Sequence, residues 1–138
     1  MSMTTWDDRY LLGLPAIDQD HRILFDLINQ LHDAYAAGSL GAERLDIVFN
    51  VLGDYVGNHF FREEEMMRDG AYPDMVPHMA AHARFSAEVD KLFHRYRDGG
   101  DEHMVLELLA LLSNWWRFHV QEDDAAFGRF AAKAGPVA

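Results

Sequence analysis

Histidines recur in this sequence at spacings that suit metal binding. Five of them lie in line with the apolar stripes of amphipathic segments: His21, His59, His78, His82 and His119. His78 and His82 are four residues apart, so on a helix they would be neighbours on one face and could hold one metal ion together. A single histidine facing a core is more often a buried residue with one hydrogen bond. Five converging imidazoles need many partners at once, and metal ions supply them.

Carboxylates accompany two of these histidines. Glu63 follows His59 by four residues and shares its helical face, although the run of three glutamates that it opens could also be a solvated surface. After His119 the choice is open, because a regular helix would place Asp123 on the histidine face and turn Asp124 about 140° away. An inward-facing carboxylate is costly unless it is paired or bound to a metal.

The donor set indicates which metal is involved. Histidine nitrogens with bridging carboxylates and no thiolate suit iron, manganese or zinc, and crowding disfavours zinc. Suppose that two carboxylates and one oxygen bridge two metals, with three histidines on one metal (His78, His82 and His119) and two on the other (His21 and His59). One metal is then saturated, and the other keeps an open position for a small molecule.

The composition excludes several other function classes. The 138 residues contain no cysteine, so disulfides, thiolate zinc sites, iron–sulfur clusters and cysteine nucleophiles are ruled out. A formal net charge of −11 without a basic patch argues against nucleic acid and anionic membranes as partners. No apolar run is long enough for a bilayer and no secretory signal opens the chain, so we expect a cytoplasmic protein.

Four amphipathic segments separated by glycine and proline follow an N-terminal arm over residues 1–17. Their approximate ranges are 18–37, 42–68, 75–97 and 102–132. Short connections make such helices antiparallel neighbours, so we predict an all-α, up-down-up-down four-helix bundle with an extended N-terminal arm, forming one domain over residues 1–138. Asp18 is the expected N-cap of the first helix. Gly53 and Gly57 predict either close packing or a locally weak second helix.

The chain resembles the haemerythrins, in particular the single-domain bacterial ones, on motifs spread over nearly its whole length. These are Trp6; Ile17-Asp18-Gln19-Asp20-His21 with Leu24-Phe25; His59-Phe60 with Glu63-Glu64 and Met67; Tyr72-Pro73; His78 with His82 and Phe85; and Trp115 with His119-Val120 and Asp124. The resemblance implies two iron ions joined by an oxo or hydroxo bridge. It implies as their ligands His21, His59, Glu63, His78, His82, His119 and Asp124.

The resemblance implies that Glu63 and Asp124 bridge the irons and that O2 binds at the iron held by His21 and His59. There O2 is reduced to hydroperoxide, with one electron from each iron and the proton from the bridging hydroxide. The family spacing selects Asp124 over Asp123, which requires an extra residue in the turn after His119. We therefore predict a π-type irregularity there, since such bulges cluster at functional sites.

One residue departs from the family pattern. The family often has an aliphatic residue three positions before the last histidine, where this chain has Trp116. An indole facing the pocket would narrow it or offer an N–H donor. The remaining histidines match no ligand position: His32, His94 and His103.

These observations favour a binding protein over an enzyme. The leading hypothesis is reversible O2 binding for storage, delivery or scavenging. A dry apolar shell around the irons would favour reversible binding. The further expected partner is an electron donor or an O2-consuming protein. The shell candidates are Ile17, Leu24, Phe25, Phe60, Trp115 and Trp116. The alternatives are an O2 or redox sensor acting through a separate partner, and a di-iron redox enzyme acting on peroxide or nitric oxide. A further alternative is a purely structural helix bundle in which the histidines are incidental.

Overall fold

A computed structural model describes residues 5–134, so four residues of the predicted arm and the last four of the predicted domain lie outside the described residues. Helices and turns account for the regular structure in that range, without a strand. The bounds are a 3₁₀ turn at Asp8–Tyr10; α1, Pro15–Ala36; α2, Ala42–Asp54; a first π segment, Tyr55–His59; α3, Phe60–Asp69; α4, Met75–Arg97; α5, Glu102–Asn114; a second π segment, Trp115–Asp124; and α6, Ala125–Ala134.

These elements form four long helices, because each π segment continues the helix on either side of it. Gly38 and Gly99 adopt positive φ just after α1 and α4, and thereby end those helices and allow short connections. α1 packs against α2 and α5, and α4 packs against α3 and α5. The predicted all-α four-helix bundle is confirmed, and none of the described helices is both long and apolar enough to cross a membrane.

The start of α1 differs from the prediction. The helix begins at Pro15, whose ring presets a helical φ, and Leu14 precedes it without a side-chain cap. Asp18 is therefore not the N-cap. Its carboxylate accepts hydrogen bonds from the backbone N–H groups of Leu12 at 2.7 Å and Leu14 at 3.1 Å, and so fastens the arm to the first turn.

The two π segments lie in the second and fourth long helices. The second one, Trp115–Asp124, confirms the irregularity predicted after His119. The first one was not predicted. Apart from its chain neighbours and the backbone of its own helix, a Cβ atom at Gly53 or Gly57 would meet no atom of the described residues within 4 Å, so close packing does not explain these glycines. Gly57 lies inside the first π segment, where the helix is irregular instead.

The larger apolar cluster extends from rings beside the predicted ligands, such as Phe60 and Trp116, to the end of the bundle at which α1 ends. We call this end the apolar half and define it by buried residues from all four long helices: Leu31, Leu45, Val48, Leu92, Met104 and Leu108. The opposite end, which we call the polar half, contains the predicted ligands and a smaller apolar cluster of Met67, Tyr72 and Phe127.

Candidate metal centre

All seven predicted ligands converge in the interior of the polar half, and none of them is more than 5% exposed. They form two groups whose ligand atoms lie within 4.8 Å of one another. The first group comprises Glu63, His78, His82, His119 and Asp124, and the second comprises His21, His59, Glu63 and Asp124. Glu63 and Asp124 belong to both groups, so they lie between the two sets of histidines.

Glu63 divides its two carboxylate oxygens between the histidine sets. Oε1 lies 2.6 Å from Nε2 of His78 and 3.2 Å from Nε2 of His82. Oε2 lies 3.4 Å from Nε2 of His59, one turn earlier on the same long helix. Each oxygen therefore faces a different set of imidazole nitrogens.

Asp124 divides its oxygens in the same way. Oδ1 lies 2.9 Å from Nε2 of His78 and 3.2 Å from Nε2 of His119. Oδ2 lies 3.0 Å from Nε2 of His21 on α1. The two carboxylates together therefore define two positions, one surrounded by three histidines and the other by two.

Unpaired buried atoms indicate that this cluster is built for cations. Six buried side-chain atoms in the described part of the chain have no hydrogen-bond partner: His21 Nδ1, His59 Nε2, Glu63 Oε2, His82 Nε2, His119 Nε2 and Asp124 Oδ1. Leaving a buried polar atom unpaired costs about 1–3 kcal/mol. Metal ions would satisfy five of these atoms, the nitrogens and oxygens that face each other, whereas Nδ1 of His21 lies on the opposite side of its ring from Asp124. This nitrogen–oxygen donor set fits iron.

The nearby carboxylates raise the pKa values of two of the buried histidines. Burial alone would lower the pKa of His59, but its contacts with the carboxylates of Asp20 and Glu63 outweigh that effect and raise the pKa to about 9. Burial likewise opposes the charged form of His78, yet its contacts with the carboxylates of Asp124 and Glu63 raise its pKa to about 10. Without metal, these two imidazoles therefore carry protons at neutral pH, and cation binding would displace them.

The pKa values of the two buried carboxylates, Glu63 and Asp124, are lowered instead. Burial and the nearby Asp124 charge would raise the pKa of Glu63, but contacts with His59, His78 and His82 outweigh both and lower it to about 2. Burial also opposes ionisation of Asp124, whereas its histidine partners hold its pKa well below the usual value. Both groups are therefore anionic at neutral pH and able to bind cations.

The geometry separates Asp124 from Asp123. Asp124 is fully buried, while the side chain of Asp123 is 55% exposed. The π turn brings the fifth residue after His119 onto the histidine face, which a regular helix would give to the fourth. Asp123 instead lies 3.0 Å from Nδ1 of His119, on the side of the ring away from the cluster.

Two further carboxylates contact the outer nitrogens of buried histidines. Nδ1 of His59 lies 3.0 Å from Asp20, and Nδ1 of His82 lies 2.7 Å from Glu64. Because the Nε2 atoms face Glu63, Nδ1 is the nitrogen that donates to these carboxylates. Sequence analysis missed both roles. Asp20 is the neighbour of a predicted ligand, and Glu64 was treated as part of a charge run.

Trp116 lies beside the two-histidine position. Its side chain is buried, and its ring lies 6.2 Å from the His21 ring in an edge-on arrangement. The indole packs against Phe25 and against Trp6 and Tyr10 of the arm. Aromatic rings therefore cover the His21 side of the cluster.

A second aromatic group contacts one histidine of each set. Tyr55 stacks on His59 with ring centroids 4.5 Å apart, and Trp115 stacks on His119 at 3.8 Å. The indole N–H of Trp115 donates to the Tyr55 hydroxyl at 3.1 Å. These stacked rings restrict how the two imidazoles can turn. Tyr55 was not singled out for this position by sequence analysis.

The three remaining histidines lie away from both groups. His32 Nε2 lies 3.1 Å from the Ser113 hydroxyl, and His94 Nδ1 donates to the Asp90 carbonyl at 2.8 Å. His103 is exposed in the first turn of α5. As expected from the sequence, none of the three belongs to a ligand group.

Comparisons with known proteins point to one family. A family model described as the Hemerythrin HHE cation binding domain matches residues 12–131. A protein named Bacteriohemerythrin from Stenotrophomonas maltophilia is 32% identical over 92% of this chain and 80% of its own length. One with the same name from Pseudomonas aeruginosa (strain LESB58) is 34% identical over the same shares. Another from Methylococcus capsulatus is 27% identical over 93% of this chain and 96% of its own.

Proposed function

Because the chain belongs to the haemerythrin family, whose members bind O2 at a di-iron centre, we propose that it binds O2 reversibly at two iron ions. The proposed ligands are His21, His59, Glu63, His78, His82, His119 and Asp124. Storage, delivery and scavenging of O2 are the roles that this activity would serve. An electron donor that returns the oxidised centre to its reduced state is a further proposed partner.

The division of the carboxylate oxygens carries this proposal. Glu63 and Asp124 each direct one oxygen toward the three-histidine set and the other toward the two-histidine set. Two bridging carboxylates would therefore leave the two-histidine position with one protein ligand fewer. If one oxygen also bridges the metals, the His21 and His59 side keeps an open coordination position. That position would accept one small molecule.

The surrounding side chains support reversible binding. When bound, the iron pair supplies the electrons that O2 binding requires. Ile17, Phe25 and Trp116 are buried around the His21 side, and rings in this position exclude water. An apolar environment limits proton delivery to the bound molecule, which favours its release as O2 over further reduction.

Visible spectroscopy on purified protein tests the proposal directly. We expect two irons per chain, absorption that appears when O2 is added to reduced protein, and loss of that absorption when O2 is removed. Irons that oxidise and stay oxidised would favour a redox sensor or enzyme. Protein that takes up no iron, or iron that does not respond to O2, would contradict the proposal.

A further inference from the structure

Asp20 connects two of the helices that surround the candidate centre. It precedes His21 on α1, but its carboxylate lies 3.0 Å from Nδ1 of His59 on the second long helix. The same carboxylate accepts three hydrogen bonds from Arg62 on α3: from Nε at 3.1 Å, and from Nη2 at 2.7 and 2.8 Å. The side chain of Asp20 is 13% exposed and that of Arg62 is 45% exposed, so Arg62 is the member of the pair nearer to solvent.

The other outer carboxylates are held less firmly. Glu64, which contacts His82, is 22% exposed, and Asp123, which contacts His119, is 55% exposed. Within residues 5–134, neither of them contacts an arginine. His59 is therefore the histidine whose outer nitrogen meets a carboxylate that is itself fixed by a guanidinium group.

A fixed carboxylate has a direct consequence for the imidazole. The planar fork of an arginine holds a carboxylate in one plane through charge-assisted hydrogen bonds. The carboxylate then holds the Nδ1–H of His59, which orients Nε2 toward Oε2 of Glu63 at 3.4 Å. Tyr55 stacks on one face of the same ring at 4.5 Å, so the ring is restrained at its edge and at its face.

We propose that Asp20 and Arg62 form a positioning pair that orients His59 and thereby controls how firmly the two-histidine position retains its metal. The inference rests on the proposed ligand assignment. It assigns the pair no contact with O2 or with the metal. Arg62 acts through Asp20, and Asp20 acts through His59. An ordinary surface ion pair would contribute little to stability and would leave metal retention unchanged.

Iron release tests the proposal in variants of the full chain. We would follow transfer of iron from reduced protein to a ferrous chelator in Asp20→Ala, Arg62→Gln and the double variant. The matched controls are Asp26→Ala, which removes an exposed ion pair with Arg22 on α1, and Arg68→Gln, which removes one with Glu65 on α3.

Asp20→Ala should release one of the two irons about ten-fold faster than the unmodified protein, since outer-shell partners change metal affinity by roughly 10–100-fold. Arg62→Gln should give a smaller increase, and Asp20→Asn, which keeps an acceptor oxygen, should retain iron better than Asp20→Ala. The double variant should match Asp20→Ala, because residues that act in series are not additive. Both controls should match the unmodified protein.

A second readout uses the iron-free protein. In the nitrogen–proton NMR spectrum, the Nδ1 proton of His59 should exchange slowly in the unmodified protein and rapidly in Asp20→Ala. Equal release rates in Asp20→Ala and the unmodified protein would overturn the proposal. The proposal would also be overturned if both irons were lost in proportion to a lowered thermal midpoint, because Asp20 would then only stabilise the packing of the two helices. If the unmodified protein fails to bind two irons, the proposed function fails, and the NMR comparison still decides whether Asp20 orients His59.

Discussion

The two halves of the bundle use the same four long helices for different purposes. In the apolar half, residues such as Leu31 and Leu108 are fully buried among other apolar side chains in regular helices. The polar half contains both π segments, two buried carboxylates and six unpaired buried atoms. Apolar burial contributes favourably to folding, whereas unpaired polar burial opposes it. We infer that packing in the apolar half stabilises the four helices enough to offset the unfavourable burial of polar atoms in the polar half.

The largest expected effect on stability comes from the apolar half. Leu108 is fully buried, so Leu108→Ala should lower the free energy of unfolding by about 2–5 kcal/mol, measured by urea denaturation. Iron bound per folded chain should stay the same. Leu106→Ala is the matched control, because this side chain is 44% exposed on the same helix. Loss of iron from folded Leu108→Ala would show that metal binding in the polar half depends on packing in the apolar half.

The corresponding change in the polar half should affect metal content. His119→Ala removes a nitrogen that faces Oδ1 of Asp124 at 3.2 Å, so iron per chain should fall below two. Metal analysis of purified protein measures this. His32→Ala is the control, because His32 contacts Ser113 outside both ligand groups. Full loading of the His119 variant would contradict its assignment as a ligand.

The pH dependence of stability should separate iron-free from iron-bound protein. The raised pKa values of His59 and His78 stabilise the iron-free fold fully below about pH 6.5, and this stabilisation is lost as the pH rises through about 9 and 10. The lowered pKa of Glu63 stabilises it above about pH 4.5, and this is lost as the pH falls through about 2. Iron-free protein should therefore be most stable between about pH 4.5 and 6.5.

Denaturant unfolding at pH 5.5, 8 and 10 tests this expectation. The iron-free protein should lose stability, on the order of a few kcal/mol, toward pH 10. Iron-bound protein should lose less over the same range, because metal-bound histidines are already without the displaced protons. The same alkaline loss in both forms would argue against metal binding at these histidines.

The smallest expected effect concerns the glycines of the second long helix. Gly53 lies in regular α2 with open space around its Cβ direction, so Gly53→Ala should raise the free energy of unfolding by about 0.5–1 kcal/mol. Gly57 has similar space but lies in the first π segment, so Gly57→Ala should stabilise less. Thermal unfolding of the two variants compares them. Equal gains would show that the π geometry does not affect alanine at this position.

Local signals predicted much of the fold and the candidate site. The range 75–97 matches α4 because its apolar spacing is regular and its ends carry strong breakers. The first helix was predicted to begin too late, because Asp18 has the side chain of an N-cap but uses it on the backbone of the arm. Asp20 was missed because its partners lie 39 and 42 residues away, and local spacing carries no information about such contacts.

The sequence by itself predicted four amphipathic helices and six of the seven donor groups, which follow from helical periodicity and from the cost of burying imidazoles and carboxylates. The seventh donor, Asp124, and the irregular turn that it requires after His119 came from the resemblance to the haemerythrins, because a regular helix would place Asp123 on the histidine face. Only the tertiary structure decided which carboxylate oxygen faces which histidine, that Trp116 lies beside His21, and that Arg62 holds Asp20 against His59. The physical reason is that these contacts join different helices, and their geometry depends on how the helices pack.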